Sequence, residues 1–179
     1  AIFADLGADV IKVEKPDGGD DARRMGPDFR HGDALNFHEF NRGKKSVVID
    51  TSKPEGQALI REMVKDADVF LTNVRPGGLT RSGLDYESLK TLNPKLVYCS
   101  LTGYGLEGPD ADRPGFDIAS FWSRTGVANL TIPKGGEPFP LRTAFGDHTT
   151  SIAAAAGICA ALVEAGRTGK GRLVEASLF

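Results

Sequence analysis

The sequence predicts an α/β fold in which a parallel-rich sheet carries helices on both faces. Short, apolar, β-branched segments of strand length alternate along the chain with segments whose apolar residues have helical spacing. This alternation is typical of parallel sheets, whose strands are connected by helices that cover the sheet. Ligands of such sheets bind beyond the carboxyl ends of the strands, so we expect functional residues in the loops that follow them.

The predicted strands are short runs rich in Val, Ile and Leu. They cover residues 8–14, 45–50, 68–73, 96–101 and the strand-like run 173–179 at the end of the chain. The predicted helices cover the start of the chain up to Gly7, residues 52–66, a short segment capped by Asp85, a segment that Asp117 caps and that runs to Gly126, and residues 149–164, which Gly166 ends. Residues 22–43, 74–78, 103–115 and 129–145 are predicted as loops.

Composition excludes several classes of protein. Lys and Arg number 22 and Asp and Glu number 24, and the resulting net charge of −2 argues against a dedicated nucleic-acid binder. No uninterrupted apolar run approaches the roughly 20 residues that span a bilayer, so we expect no membrane partner. Two cysteines are too few for a disulfide scaffold and fit a reducing compartment, which predicts a cytoplasmic protein.

Three short motifs fail when their spacing is checked. The run 166–171 has Gly171 where a phosphate-binding loop needs Ser or Thr after its lysine, so a helix-to-strand turn is the better interpretation. The run 110–115 lacks the ligand spacing of a calcium loop. The three histidines show no metal-site spacing with the cysteines, and we expect no metal.

Six basic residues lie in or beside the loops that follow predicted strands: Lys12, Lys15, Lys44, Lys45, Arg75 and Arg81. Singly, each is best interpreted as a solvated surface charge. Together they would suit a phosphorylated ligand, because Lys and Arg donate charge-assisted hydrogen bonds to phosphate. Both interpretations stay open at this point.

Asp147 follows Gly146 at the start of the most apolar predicted helix, and it has two interpretations. As an N-cap it would contribute about 0.5–2 kcal/mol to stability. As a nucleophile it would be kept ionised by the positive end of the helix, with Gly146 permitting close approach of another group and nearby amides offered to an oxyanion. Spacing alone favours the cap.

Several segments in consistent order, distributed over the whole chain, resemble the class III CoA-transferases, also called the CaiB/BaiF family. They are residues 4–14 (ADLGADVIKVE), 41–46 (NRGKKS), 73–77 (NVRPG), 92–94 (LNP), 100–105 (SLTGYG), 113–117 (RPGFD), 146–147 (GD) and 168–172 (TGKGR). The resemblance implies a Rossmann-like large domain, a small domain and an interlocked homodimer. Residues 1–179 would then be a partial large domain, without its first strand and without the small domain.

The resemblance also implies roles for particular residues. The catalytic carboxylate falls on Asp147. Contacts to coenzyme A, bound as the acyl-CoA substrate, fall on Lys15, Ile49, Asp50, Asn73, Val74, Arg75, Arg81, Arg113 and Asp117.

The implied reaction is transfer of CoA from an acyl-CoA thioester to a free carboxylic acid, through an aspartyl anhydride and an aspartyl-CoA thioester. One alternative is an acyl-CoA racemase of the same family. Racemase members carry His where this chain has Phe116, which cannot exchange a proton at an α-carbon, so transferase is favoured. A second alternative is a CoA-binding module without catalysis. His148, beside the implied nucleophile, departs from the small residue that is commoner there.

Overall fold

Parallel strand pairing dominates both parts of the fold. The computed structural model describes residues 1–139 and 144–179. The chain divides into an N-terminal unit, Ala1–Ile60, and a C-terminal unit, Arg61–Phe179. The mixed α/β fold with parallel sheets that the alternating pattern predicts is confirmed.

The N-terminal unit is built around two parallel strands. Its elements are α1 (Ile2–Asp5), β1 (Val10–Glu14), a 3₁₀ turn (Asp21–Arg24), β2 (Phe29–Arg30), β3 (Asp33–Ala34), α2 (Leu35–Asn41) and β4 (Lys44–Val48), with α3 (Pro54–Val64) spanning the boundary between the units. β1 pairs with β4 in parallel, with Glu14 opposite Val48. β2 and β3 form a short antiparallel pair.

A buried charge network orders the segment that the sequence predicts as loop. Glu14 is 4% exposed. Its two carboxylate oxygens accept hydrogen bonds from Nε and Nη2 of Arg23, at 2.8 and 2.7 Å. The N–H of Asp20 and the hydroxyl of Ser46 also donate to it. Arg23 further contacts the Phe37 ring, with its guanidinium carbon 3.9 Å from the ring centroid. Residues 22–43 therefore contain elements fixed by a non-local ion pair.

The C-terminal unit carries a three-stranded parallel sheet. Its elements are β5 (Val69–Thr72), α4 (Pro76–Ser82), α5 (Tyr86–Leu92), β6 (Val97–Thr102), a π-helix (Ile118–Arg124), α6 (Val127–Thr131), α7 (Phe145–Thr168) and β7 (Leu173–Ser177). The strand order is β5-β6-β7, and both pairings are parallel. The central strand β6 supplies four consecutive buried residues, and α7 packs against β6 and β7.

Local signals in the sequence give mixed results for the helices. Asp85 caps α5 as predicted, because its carboxylate accepts the N–H of Ser88 at 3.0 Å. The prediction that Gly166 ends the long helix is wrong. α7 continues to Thr168, and Gly169, with φ +71°, supplies the left-handed residue that ends it. α4 lies partly in a predicted loop, with Pro76 in its first turn.

Within the described residues, α7 is the one helix whose length and composition would suffice to cross a membrane. α7 contains no uninterrupted apolar run of that length, as the sequence analysis states; its many Ala residues raise its mean hydropathy across its polar positions. A core helix of a water-soluble protein meets the same criterion. Here α7 packs against two strands of the parallel sheet.

Candidate active site

Two glycines bring the loop after β6 back to the end of its own strand. Gly103 directly follows β6, and a Cβ atom placed on it would lie 2.5 Å from the Cα atom of Gly115. Only glycine at both positions allows this approach of the two backbones. Asp117, two residues after Gly115, is consequently placed beside the carboxyl end of β6.

Asp117 connects this loop to the start of α7. Its side chain is buried, with the residue 8% exposed, and its Oδ1 atom accepts the backbone N–H of Asp147 at 2.9 Å. Gly146 packs directly against the same carboxylate. A Cβ atom on Gly146 would lie 2.4 Å from Oδ1 of Asp117 and 2.3 Å from Cγ of Phe121. The start of α7, and Asp147 with it, is thereby fixed at the carboxyl edge of the sheet.

Asp147 is the third residue of α7, and its side chain is exposed. The N-cap position belongs to Ala144, which has the left-handed values φ +50° and ψ +53° that non-glycine residues rarely adopt. The interpretation of Asp147 as the N-cap is therefore wrong. Its role as a nucleophile stays a prediction.

The surroundings of Asp147 raise the pKa of its carboxyl group. The largest cause is desolvation, which disfavours the charged form. Although the residue as a whole is exposed, its carboxyl group is partly shielded from water. The negative charge of Asp117 raises this pKa further, and the neighbouring His148 lowers it. A carboxylate with a raised pKa is more basic and hence a stronger nucleophile once ionised.

Two amides in this turn are already engaged within the protein. The N–H of Asp147 donates to Asp117, and the N–H of His148 donates to the carbonyl oxygen of Ala144 at 3.1 Å. The expectation that amides of this turn stabilise an oxyanion is wrong for these two. A donor to an oxyanion in this conformation has to come from another group.

The other candidates of the C-terminal unit follow the carboxyl ends of β5 and β6. Asn73, Val74 and Arg75 come directly after β5, and Arg75 precedes α4 as its N-cap residue. Arg81 lies in the last turn of α4. Its guanidinium and the carboxylate of Asp112 both border Gly77, at 3.4 and 3.9 Å from the Cβ position of that glycine. The structure thus places Arg81 close to the loop that follows β6.

Arg113 lies in that same loop and forms an ion pair with Asp110 at 3.3 Å. Asp110 also binds Arg124 at 2.8 Å, and the guanidinium of Arg124 lies over the ring of Tyr104. Asp110 therefore holds two cations on one side of the loop. The contacts of Arg113 and Asp117 with CoA stay predictions, whereas the contact of Asp117 with Asp147 is a finding that the sequence analysis missed.

The candidates of the N-terminal unit share one edge of the β1–β4 pair. Lys15 follows β1, and Ile49 and Asp50 follow β4. Lys15 forms an exposed ion pair with Asp21 at 2.8 Å. Asp50 accepts hydrogen bonds from the N–H and the hydroxyl of Ser52, while Ile49 is buried. Parallel pairing therefore places these three residues at the same end of the strand pair, and their contact with CoA stays a prediction.

Three of the remaining basic candidates already have polar partners. Lys12 pairs with Asp20 at 2.6 Å and Lys45 with Asp9 at 2.8 Å. Lys44 donates to the side chain of Asn41. A site built from all six cations would have to break these contacts. Lys15 of the N-terminal unit has a partner as well, in Asp21. Within the C-terminal unit, Arg75 and Arg81, which the family resemblance also selects, stay the candidates for a phosphate group.

Sequence reasoning also missed Ser120, on the π-helix. Its hydroxyl is fully buried and has no hydrogen-bond partner within the described part of the chain. It lies against Gly115, 2.7 Å from that residue's Cβ position. The available signal was Gly103, two residues after the predicted strand 96–101, because a glycine at a strand end indicates close approach of another backbone. Residues 1–139 and 144–179 contain no group of three His, Cys, Asp or Glu side chains that could hold a metal ion.

Comparison with known proteins identifies the family of the chain. The family model described as CoA-transferase family III matches residues 1–179. The chain belongs to CoA-transferase family III. A crystal structure of a CaiB/BaiF family protein from Brucella suis superimposes with a TM-score of 0.91 at 45% identity, over 99% of this chain and 47% of that one.

Two curated relatives of this family III chain are named after CoA transfer. The succinate–glutarate CoA-transferase of Agrobacterium fabrum is 45% identical over 99% of this chain and 46% of its own length. The cinnamoyl-CoA:phenyllactate CoA-transferase of Clostridium sporogenes is 42% identical over 99% of this chain and 44% of its own. The chain thus spans about half the length of the curated relatives that it matches.

Proposed function

We propose that this chain supplies the nucleophile of a class III CoA-transferase, which moves CoA from an acyl-CoA thioester to a free carboxylic acid. The observation that carries the proposal is the position of Asp147, an exposed residue at the carboxyl edge of a parallel sheet that is held there through its backbone by Asp117. Ligands of open α/β sheets bind at that edge. The named activities of the relatives support the same reaction class.

The reaction proceeds in two symmetrical halves. A carboxylate oxygen of Asp147 attacks the thioester carbonyl, the C–S bond breaks, and CoA thiolate leaves an aspartyl–acyl anhydride. The thiolate then attacks the aspartyl carbonyl, which releases the donor acid and leaves Asp147 as a CoA thioester. The acceptor carboxylate attacks the carbonyl of that thioester, the C–S bond breaks, and CoA thiolate leaves a second anhydride. Thiolate attack on its acceptor carbonyl releases the new acyl-CoA and restores Asp147.

A carboxylate suits this exchange because its anhydride and thioester intermediates are as activated as the substrate. A serine ester would lie too low in energy to regenerate a thioester. Carboxylates are weak nucleophiles, so positioning must supply much of the rate, and well-oriented reactants can gain roughly 7–11 kcal/mol in this way. Arg75 and Arg81 would bind the phosphates of CoA and so use distant binding energy to hold the thioester at Asp147.

A screen of acyl-CoA donors against carboxylic-acid acceptors would identify the acids that are exchanged. The names of the relatives pair succinate with glutarate and cinnamoyl-CoA with phenyllactate. These four acids and their CoA thioesters form the first donor and acceptor set. Assembly as a homodimer and a cytoplasmic location belong to the same proposal.

A trapping experiment tests the proposal directly. The full-length protein, incubated with acyl-CoA and then hydroxylamine, should yield an aspartyl hydroxamate at Asp147, because hydroxylamine cleaves both anhydrides and thioesters. Peptide mass spectrometry locates the modification, and omission of acyl-CoA is the control. A hydroxamate elsewhere, or none at all during turnover, would refute the assignment. A CoA-binding module without catalysis would bind CoA and give no adduct.

Arg81→Ala should weaken the binding of acyl-CoA more than it slows turnover. Loss of a charged hydrogen bond to phosphate should raise KM for acyl-CoA by about tenfold or more, with kcat changed far less. Steady-state kinetics measure both constants. Arg167→Ala, which removes an exposed arginine from the last turn of α7, is the matched control. Equal losses in kcat for the two variants, with unchanged KM, would contradict a role of Arg81 in CoA binding.

A further inference from the structure

The start of α7 is capped by a residue from another part of the chain. An N-cap side chain normally accepts the N–H of the second or third helical residue. Ala144 occupies the N-cap position of α7 and has no side-chain acceptor. The N–H of the third residue, Asp147, instead donates to the carboxylate of Asp117, which lies 30 positions earlier in the sequence. Asp117 therefore performs the capping function from the loop after β6.

The carboxylate of Asp117 is held in place by its contacts with α7 and does not cap the π-helix that follows it in the sequence. Within the described residues, Asp117 makes no side-chain capping bond to the π-helix that begins at Ile118, although the sequence predicts it as the cap of that segment. It is buried beneath Gly146, whose missing Cβ leaves the space that the carboxylate oxygen and Phe121 fill. A buried carboxylate is costly unless hydrogen-bonded, and the amide at the positive end of α7 provides that bond.

We infer that Asp117 is a positioning residue for Asp147: its buried carboxylate fixes the backbone of the nucleophile and places a second negative charge beside it. The inference rests on the proposed function, since it assigns Asp117 a part in acylation of Asp147. The hydrogen bond fixes the backbone of Asp147, from which the attacking carboxylate oxygen projects. The neighbouring charge makes that oxygen more basic and therefore more nucleophilic.

The electrostatic part has a defined sign. Asp117 raises the pKa of the Asp147 carboxyl group, and His148, on the same helix, lowers it. If turnover requires ionised Asp147, the rate falls as the pH drops through that pKa. Removing the charge of Asp117 lowers the pKa, so the acid limb of the profile should move to lower pH. His148 is present in every variant. It also lowers the pKa of Asp147, so it does not oppose the downward shift that removing the charge of Asp117 should cause.

Two variants of the full-length protein separate position from charge. Asp117→Asn keeps an acceptor oxygen for the Asp147 amide and removes the charge. It should lower kcat by less than about tenfold and shift the acid limb of kcat to lower pH. Asp117→Ala removes both and should lower kcat by about 100-fold, because a small misplacement of a reacting group has an effect of that size. KM for acyl-CoA should change little in either variant if Asp117 acts through Asp147, whereas a raised KM with unchanged kcat would indicate a direct contact with CoA and count against the inference.

Glu107→Gln, an exposed carboxylate-to-amide change in the same loop, is the control and should match the wild type. An unshifted acid limb in Asp117→Asn, together with near-normal kcat in Asp117→Ala, would overturn the inference. If Asp117→Ala does not fold, as judged by circular dichroism, the pH profile of Asp117→Asn alone decides. Hydroxylamine trapping at Asp147 in the wild type separates the two claims: its failure refutes the proposed function, whereas normal Asp117 variants with intact trapping refute only the inference.

Discussion

Asp147→Asn should abolish CoA exchange, with kcat falling by about 10⁴-fold or more. The substitution is nearly isosteric and keeps the backbone N–H that donates to Asp117, so the start of α7 should retain its geometry. An amide oxygen is a poor nucleophile and cannot form the anhydride, so the covalent route is lost as a whole. Losses of this size are typical when a group that forms the covalent intermediate is removed.

The measurement is steady-state exchange between an acyl-CoA and a free acid, with CoA binding followed separately by calorimetry. Asp147→Asn should bind CoA with nearly wild-type affinity, because the phosphate contacts proposed for Arg75 and Arg81 do not involve it. Glu164→Gln, a carboxylate-to-amide change near the other end of the same helix, is the matched control and should keep its activity. Asp147→Ala guards against slow deamidation of the introduced asparagine back to aspartate.

Near-normal turnover in Asp147→Asn and Asp147→Ala would remove the basis of the proposed mechanism. A racemase would give a different result, namely incorporation of solvent deuterium at the α-carbon of the acyl group without any acceptor acid. The chain has Phe116 at the position where racemase members carry His, and that side chain is 76% exposed. We therefore expect exchange that depends on the acceptor acid and leaves the α-carbon unlabelled.

Elements that depend on local chemistry could be read from the sequence. β5 is a run of apolar and β-branched residues, and the cap of α5 needs only Asp85 and a residue three positions later. The family resemblance implies that Asp147 is the nucleophile, whereas spacing alone favours it as a helix cap. The structure excluded the cap interpretation, since Ala144 occupies that position.

Features that depend on distant residues could not be read in this way. The bond from Asp147 to Asp117 joins residues 30 positions apart, and the contact of Gly103 with Gly115 depends on the path of a whole loop. Asp117 precedes a helical segment, so a local rule assigns it as a cap there, whereas tertiary packing directs its carboxylate to another helix. The elements within 22–43 were missed for the same reason, because Arg23 is ordered by Glu14 on β1.

Arg23→Met should destabilise the N-terminal unit by about 3–5 kcal/mol, the usual cost of leaving one member of a buried ion pair without its partner. Glu14 is buried on β1, and Arg23 occupies both of its carboxylate oxygens. Met preserves much of the volume and the apolar contact with Phe37 but donates no hydrogen bond. The backbone N–H of Asp20 and the hydroxyl of Ser46 would remain as donors to the otherwise uncompensated charge of Glu14.

The effect should depend on pH with a definite sign. Hydrogen bonding by Arg23 is the largest cause that lowers the pKa of Glu14 to about 2, from an ordinary value of 4.5. A depressed pKa contributes stability above the unfolded value and loses it as the pH falls toward the folded value. The wild type should therefore lose this contribution between about pH 5 and pH 2. In Arg23→Met the pKa of Glu14 rises, so the stability difference between the two proteins narrows as the pH falls.

Hydrogen exchange of amides in β1 and β4 of the full-length protein measures the local free energy of opening at several pH values. Arg42→Met is the matched control, because Arg42 pairs with Asp5 at the surface, where both side chains are at least 40% exposed. Exposed pairs contribute about 0–1 kcal/mol, so this variant should stay near the wild type. Equal protection in the two variants, or a loss in Arg23→Met that does not change between neutral and acid pH, would show that the Glu14 network does not hold this unit together.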